Sequence, residues 1–308
     1  MRDASNRSLT VAARWRVTAQ MSTELVWLNG EITALSDAKI AVEDRGFLFA
    51  DGVYEVVRLY GGKPFALGLH LDRLQKSCDG LMLKMPMQRE PLVREIRSLI
   101  DRSGVRDGML YLQLTRGVAS RNHVFPIDVP PTLLFFARAL PAIVPPDRQA
   151  GIKLHTVRDV RWRMCWIKSI GLAANVLAKN EALSHGADEA AFVDEHDVVS
   201  ECTSSNLFLV SHGKLITHPV GPRVLPGITR HVVIECARAL SIDVIERPIA
   251  LAEAKAADEI FITGTTRQLA WVGGWDGATV ASGRLGPVTM KLHDAFESRV
   301  ARELGASS

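Results

Sequence analysis

The apolar positions of this chain change period along its length. Val26, Trp27, Leu28 and Ile32 flank Asn29-Gly30, a pair that favours a two-residue turn, so an antiparallel hairpin is expected at the start of the folded chain. Residues 53–60 are a run of strand length closed by Gly61-Gly62. The spacing then becomes helical over 69–83, through Leu71, Leu74, Cys78 and Leu81, and again over 91–102, through Leu92, Ile96 and Leu99. Two further strands, 109–115 and 132–139, bracket a polar loop at 116–126, and the proline-rich stretch 141–150 reads as a linker.

Beyond it the pattern predicts a strand over 152–157, an irregular region around Lys168, and a helix over 172–185 stopped by Gly186. Short strands at 191–193, 198–199, 207–210 and 215–217 are joined by polar turns. Pro226-Gly227 opens a largely buried helix over 228–240, residues 260–263 form a strand leading into Gly264-Thr265-Thr266, and a last amphipathic helix covers 288–304. Antiparallel strands with helices grouped among them argue an α+β protein rather than a parallel βαβ sheet. The length of 308 residues favours two domains, drawn here at 25–144 and 145–308.

Composition narrows the function classes. A hydrophobic fraction of 47% with 23% charged residues matches a globular protein, and no apolar run reaches membrane-spanning length. The net charge of +3 is dispersed, without the basic stripe and interleaved aromatics of a nucleic-acid binder. Cys78, Cys165, Cys202 and Cys236 form neither a disulfide framework nor a zinc pattern, which suits a reducing cytoplasm and leaves no metal expected. Residues 1–24 differ from the rest: Arg2, Arg7, Arg14 and Arg16 stand against Asp3 alone. They read as a disordered extension upstream of Met21, with a transit-peptide composition as the competing reading.

Ten lysines leave few rivals for a reactive amine. Lys168 lies in Trp-Ile-Lys-Ser, where desolvation by Trp166 and Ile167 would lower the ammonium pKa and free the amine for attack on an aldehyde. On local sequence alone, a lysine snorkelling over apolar neighbours fits better. Lys179, near Glu181 on a helix face with Asn180 and Ser184, reads as a solvated competitor. More distant residues tip the balance. Glu201, beside Thr203, Ser204, Ser205 and Asn206, would hold a ring nitrogen protonated. Pyridoxal 5'-phosphate needs both partners, because its protonated ring receives the electrons left when a bond to the substrate α-carbon breaks. Arg73, the helix start at Gly227-Ile228-Thr229 and the Gly264-Thr265-Thr266 turn could each serve a phosphate, though singly each is equally a cap or a turn. The hydroxyls at 203–205 and Asn206 fit either a turn or a wall against a ring. Arg121 and His123, two apart in an extended loop, point the same way and could clasp a carboxylate with Tyr54. Arg45 and Arg116 read as structural.

Together the stretches 43–56, 70–74, 121–126, 167–169, 201–206, 225–229 and 265–266 resemble the fold-type IV pyridoxal-phosphate aminotransferases, most closely their D-amino acid (D-alanine) branch. The resemblance implies a smaller α/β N-terminal domain and a larger C-terminal pseudo-barrel domain. It implies that Lys168 forms the Schiff base and shuttles the α-proton, that Glu201 pairs with the pyridine nitrogen, and that Arg73, Ile228, Thr229 and Thr265 hold the phosphate. Ser205, Asn206, Leu225, Gly227 and Gly264 complete the implied cofactor set. Tyr54, Arg121 and His123 become the trap for the substrate α-carboxylate, the last two reaching in from the other subunit of a homodimer. Gly264 and Thr203 stand where relatives often carry serine. The implied reaction is D-alanine plus 2-oxoglutarate giving pyruvate plus D-glutamate, with D-amino acids and 2-oxo acids as small-molecule partners. Branched-chain L-amino acid and (R)-amine transaminases share Lys168 and Glu201 but are expected to lack the Arg-x-His loop. An aminodeoxychorismate lyase and a non-enzymatic binding protein are the remaining alternatives.

Overall fold

A computed structural model describes residues 24–305, so the expected extension falls, except for Glu24, outside the described residues. The first six strands are β1 (Leu25–Leu28), β2 (Glu31–Ala34), β3 (Gly52–Tyr60), β4 (Lys63–Pro64), β5 (Gly108–Thr115) and β6 (Thr132–Ala139). They form one antiparallel sheet in the order β2-β1-β6-β5-β3-β4. Asn29-Gly30 makes the expected turn, with both residues at positive φ. A short helix α1 (Arg45–Phe49), capped by the Asp44 side chain, precedes β3, while α2 (Leu67–Gly80) and α3 (Arg89–Ser103) lie between β4 and β5.

Leu71, Leu74, Cys78, Leu92, Ile96 and Leu99 from the helices pack on Val53, Val57, Leu110, Leu112, Leu114 and Phe135 of the sheet in one buried cluster. Burying each such side chain stabilises the fold by about 1.5–3 kcal/mol. Helix α2 stops before its apolar spacing does. Met82 takes φ 53°, and the Leu83 amide turns back to the Cys78 carbonyl at 2.8 Å, satisfying a carbonyl that the helix end leaves open.

The second half carries β7 (Ile152–Arg158), α4 (Ala173–Ser184), β8 (Glu189–Val193), β9 (Val198–Cys202), β10 (Asn206–Ser211), β11 (Lys214–Thr217) and α5 (Ile228–Ala239). It continues with β12 (Val244–Glu246), β13 (Ile249–Ala250), α6 (Leu251–Lys255), β14 (Glu259–Gly264), β15 (Gln268–Trp275), β16 (Ala278–Thr279) and α7 (Pro287–Leu304). The ten strands form one curled sheet, β12-β11-β10-β14-β15-β7-β8-β9-β13, with β16 on β15. It is mixed: β7 and β8 are parallel neighbours joined across α4, and β15·β7 and β11·β12 are also parallel.

Alternation sorts its side chains onto two faces. Leu207, Leu209, Ile260, Ile262, Val272 and Trp275 fill the interior of the curl. Phe208, Val210 and Phe261 point outward beneath α5 and α7, against Val232, Val233, Leu292 and Phe296. Burial on both faces explains why these strands are apolar without interruption and extend past the predicted short segments. The two sheets meet through Phe65, whose ring lies 5.7 Å from Phe296, and through the Ala66 amide, which donates to Glu303 at 2.7 Å.

Candidate active site

A cavity of about 330 Å³ opens along this junction. Tyr54, Arg73, Lys168, Glu201, Ser205, Asn206, Leu225, Gly227, Ile228, Thr229, Gly264 and Thr265 all line it, whereas Arg121 and His123 do not.

The segment bearing Lys168 is irregular, and its backbone is clamped from several sides. The Lys168 amide donates to Ser77 Oγ at 3.1 Å, its carbonyl accepts from the Tyr54 amide at 3.0 Å, and the Cys165 amide donates to the Pro222 carbonyl at 2.9 Å. Trp166 and Ile167 pack on the first core cluster, and Ile167 also lines the cavity beside Lys168. A Cβ on Gly80 would stand 2.6 Å from Trp166 and 2.7 Å from Ile167, so the helix end needs glycine for this loop to seat. The apolar neighbours thus anchor the backbone, while Lys168 Nζ lies 4.3 Å from the centre of the Tyr54 ring. Lys179 stays outside the cavity, with its ammonium 3.3 Å from Glu189.

Glu201 is buried at the end of β9. One oxygen accepts from Arg161 Nη1 at 2.6 Å, and the other accepts from Asn206 Nδ2 and the Leu225 amide, each at 3.0 Å. Burial pushes its carboxyl up, with Arg161 pulling the other way. Arg161 also holds Asp159 in a two-point pair at 2.9 Å and covers the Phe192 ring at 4.1 Å. Asn206 links this group to the next element by donating to the Leu225 carbonyl at 2.9 Å. A Cβ on Gly227 would lie 2.0 Å from Asn206 Oδ1, so only glycine lets α5 start there.

The first amides of α5, from Ile228 onward, have no acceptor within the helix and face the cavity with the positive end of the helix dipole. Arg73 approaches them from α2. Its Nε and Nη2 each donate to Glu55 at 2.7 Å and its Nη1 to the Pro226 carbonyl at 3.0 Å, which leaves one N–H on each terminal nitrogen. Glu55 is itself fully buried and accepts from His70 Nδ1 at 2.7 Å. Burial opposes its charge, but Arg73 and His70 prevail and lower its pKa to about 2. Burial lowers the His70 pKa, with Glu55 pulling the other way. The Thr263 hydroxyl, buried at the cavity wall, has no hydrogen-bond partner among the described residues.

Ser77, Glu55 and Arg161 lie outside the expected site residues. Glu55 carries a signal: it shares the inward-facing register of Val53 and Val57, and an acid there demands a partner. Ser77, on the buried face of α2, carries a weaker one. Arg161 carries none, since its partner Glu201 is distant in sequence. Arg121 and His123 sit on an exposed loop against Phe49, at 5.1 Å and 5.4 Å from its ring, and Arg45 Nη1 holds the intervening Asn122 carbonyl at 2.5 Å. Arg45 and Arg116 both pair with Asp51, at 2.9 Å and 2.7 Å.

The family model described as amino-transferase class IV matches residues 52–274. A D-alanine aminotransferase of Listeria monocytogenes is 40% identical over 283 residues, covering 91% of this chain and 97% of that one. One of Staphylococcus aureus is 36% identical over 279 residues, covering 90% and 98%. Among solved structures, the Escherichia coli branched-chain amino acid aminotransferase superposes with a TM-score of 0.85 at 26% identity, covering 93% of this chain and 96% of that one. A branched-chain amino acid aminotransferase of T.th. with pyridoxamine 5'-phosphate gives 0.85 at 27% identity, covering 94% and 96%. The chain belongs to the class IV amino-transferase family.

Proposed function

We propose that the protein is a D-amino acid aminotransferase that takes an amino group from D-alanine and passes it to 2-oxoglutarate, using pyridoxal 5'-phosphate. The observation that carries this reading is the convergence of a lysine amine, a buried carboxyl and a helix N-terminus on one cavity. The donor set fits the cofactor. First-turn amides of α5, two spare N–H groups of Arg73 and the hydroxyls of Thr229 and Thr265 suit a phosphate. The Gly227–Asn206 contact admits no added Cβ, and the unpartnered Thr263 hydroxyl offers a further polar atom.

When bound, the cofactor supplies an aldehyde for amine exchange and a ring that takes up electrons from the substrate α-carbon. Lys168 Nζ would take the proton from the substrate α-carbon and pass it to the cofactor carbon that carries the aldehyde. Glu201, raised by burial, would keep the ring nitrogen protonated, and Arg161 and Asn206 hold its two oxygens in place. Glu55 aims Arg73 at the phosphate. Tyr54 lies beside the amine and orients the substrate carboxylate.

The D series is supported by relatives at 36–40% identity, all named D-alanine aminotransferases, which weigh more than branched-chain structures at 26–27%. Arg121 and His123 belong to a loop with Val124 72% and Ile127 88% exposed, the surface expected if a second copy covers it and receives these residues. On this reading the protein is a homodimer of two-domain subunits (25–144 and 145–308) working in the cytoplasm. Among the described residues no helix is long and apolar enough to cross a membrane. The test is an absorbance panel of half-reactions on the holoenzyme. D-alanine should convert the pyridoxal form to the pyridoxamine form; conversion by L-alanine or L-leucine but not by D-alanine refutes the reading.

A further inference from the structure

Three guanidinium groups line the cavity, and two of them are committed. Arg73 is locked to Glu55, and Arg161 to Asp159 and Glu201. Arg267 is different: among the described residues its guanidinium has no hydrogen-bond acceptor and no carboxylate within ion-pair distance, and its side chain is exposed at the cavity rim. Its root is nonetheless fixed. The Arg267 amide donates to the Gly264 carbonyl at 3.2 Å, and Gln268 takes φ 55° with its side chain tied to Tyr60 at 2.9 Å and Glu297 at 2.6 Å. A rigid turn thus presents a long cationic arm over the cavity.

We propose that Arg267 binds the distal carboxylate of dicarboxylic substrates and so selects a 2-oxo diacid as amino acceptor. The inference rests on the transaminase reading and deepens it. A resident phosphate is served by groups held in place, as Arg73 is by Glu55, and an arm without a buried counter-carboxylate suits a group that arrives and leaves each turnover. A diacid also brings two carboxylates. Tyr54, Arg121 and His123 answer for the α-carboxylate, and the second has Arg267 as the uncommitted guanidinium along the cavity.

The test compares wild type with Arg267→Gln and Arg267→Lys. Pyridoxamine-form enzyme is mixed with 2-oxoglutarate or pyruvate, and pyridoxal-form enzyme is titrated with the inert acids glutarate and butanoate. Arg267→Gln should lower kcat/KM for 2-oxoglutarate by about 10- to 100-fold and weaken glutarate binding alike, as loss of a charged hydrogen bond predicts. Pyruvate and butanoate should shift by less than about threefold, and Arg267→Lys should recover part of the loss. Equal losses for both acceptors, or faster cofactor dissociation, overturn the proposal. If D-alanine fails to convert the wild-type pyridoxal form, the donor reading fails, while the comparison of glutarate with butanoate still decides the role of Arg267.

Discussion

Glu55 offers the sharpest physical test of how the cavity is built. Its carboxylate is fully buried, accepts two bonds from Arg73 and one from His70, each at 2.7 Å, and has its pKa lowered to about 2 from 4.5. A folded-state pKa below the unfolded one adds stability that is complete above pH 4.5 and is lost as pH falls through 2. The shift corresponds to about 3 kcal/mol at pH 7, of which about 1 is lost by pH 4 and about 2 by pH 3. His70, also lowered, contributes in the same direction from its ordinary value of 6.5 downward. Glu55→Gln removes the charge and leaves the Arg73 guanidinium buried without its partner, so the loss at pH 7 should be about 3 kcal/mol or more. Urea unfolding of wild type and variant between pH 7 and pH 3 measures it. The two stability curves should converge by about 2 kcal/mol across that range. Parallel curves, or a difference below about 1 kcal/mol at pH 7, would refute the claim that this carboxylate carries the Arg73 side of the cavity.

Glu201→Gln should separate activity from stability. Burial raises the Glu201 pKa, so the charge that glutamine removes is one the buried site disfavours, while Asp159 still holds Arg161 in the variant. The apoprotein should unfold no earlier than wild type in a thermal scan, yet half-reaction rates should fall by about 100-fold or more; a variant that loses stability and keeps its rate contradicts both halves. Gly227→Ala inserts a methyl 2.0 Å from Asn206 Oδ1. It should destabilise by about 1–3 kcal/mol and weaken cofactor retention in dialysis, and unchanged retention would remove Gly227 from the phosphate cradle. Leu209→Ala, in the fully buried interior of the curled sheet, should lower unfolding free energy by about 2–5 kcal/mol in urea while leaving the cavity intact.

Periodicity reads best where an element buries one face. Helix α3 and strands β3, β5 and β6 appear close to their expected bounds because each packs a single side on the first core. Strand β15 has no counterpart among the expected strands; Gly273-Gly274 lie within it, where Trp271 crosses over Gly151 and Gly273. The α+β expectation holds, and within it β7–α4–β8 forms a parallel pair whose crossover local spacing does not announce.

At the cavity, the residues with motif character from Tyr54 in β3 to Thr265 after β14 come together, apart from Arg121 and His123, which stay on an exposed loop. The groups that hold them do not announce themselves, because Arg161 and Ser77 act through partners far away in sequence. Trp166 and Ile167, read from the sequence as neighbours of the amine, also seat its backbone by packing on Gly80 and the first core.

On the proposed function, Lys168 is the one of the ten lysines that carries the reactive amine. Borohydride reduction of the holoenzyme followed by peptide mass mapping tests it directly. A single phosphopyridoxyl mass addition is expected on the peptide containing Lys168, absent from Lys168→Ala. Modification of Lys179, or of no lysine at all, would contradict it.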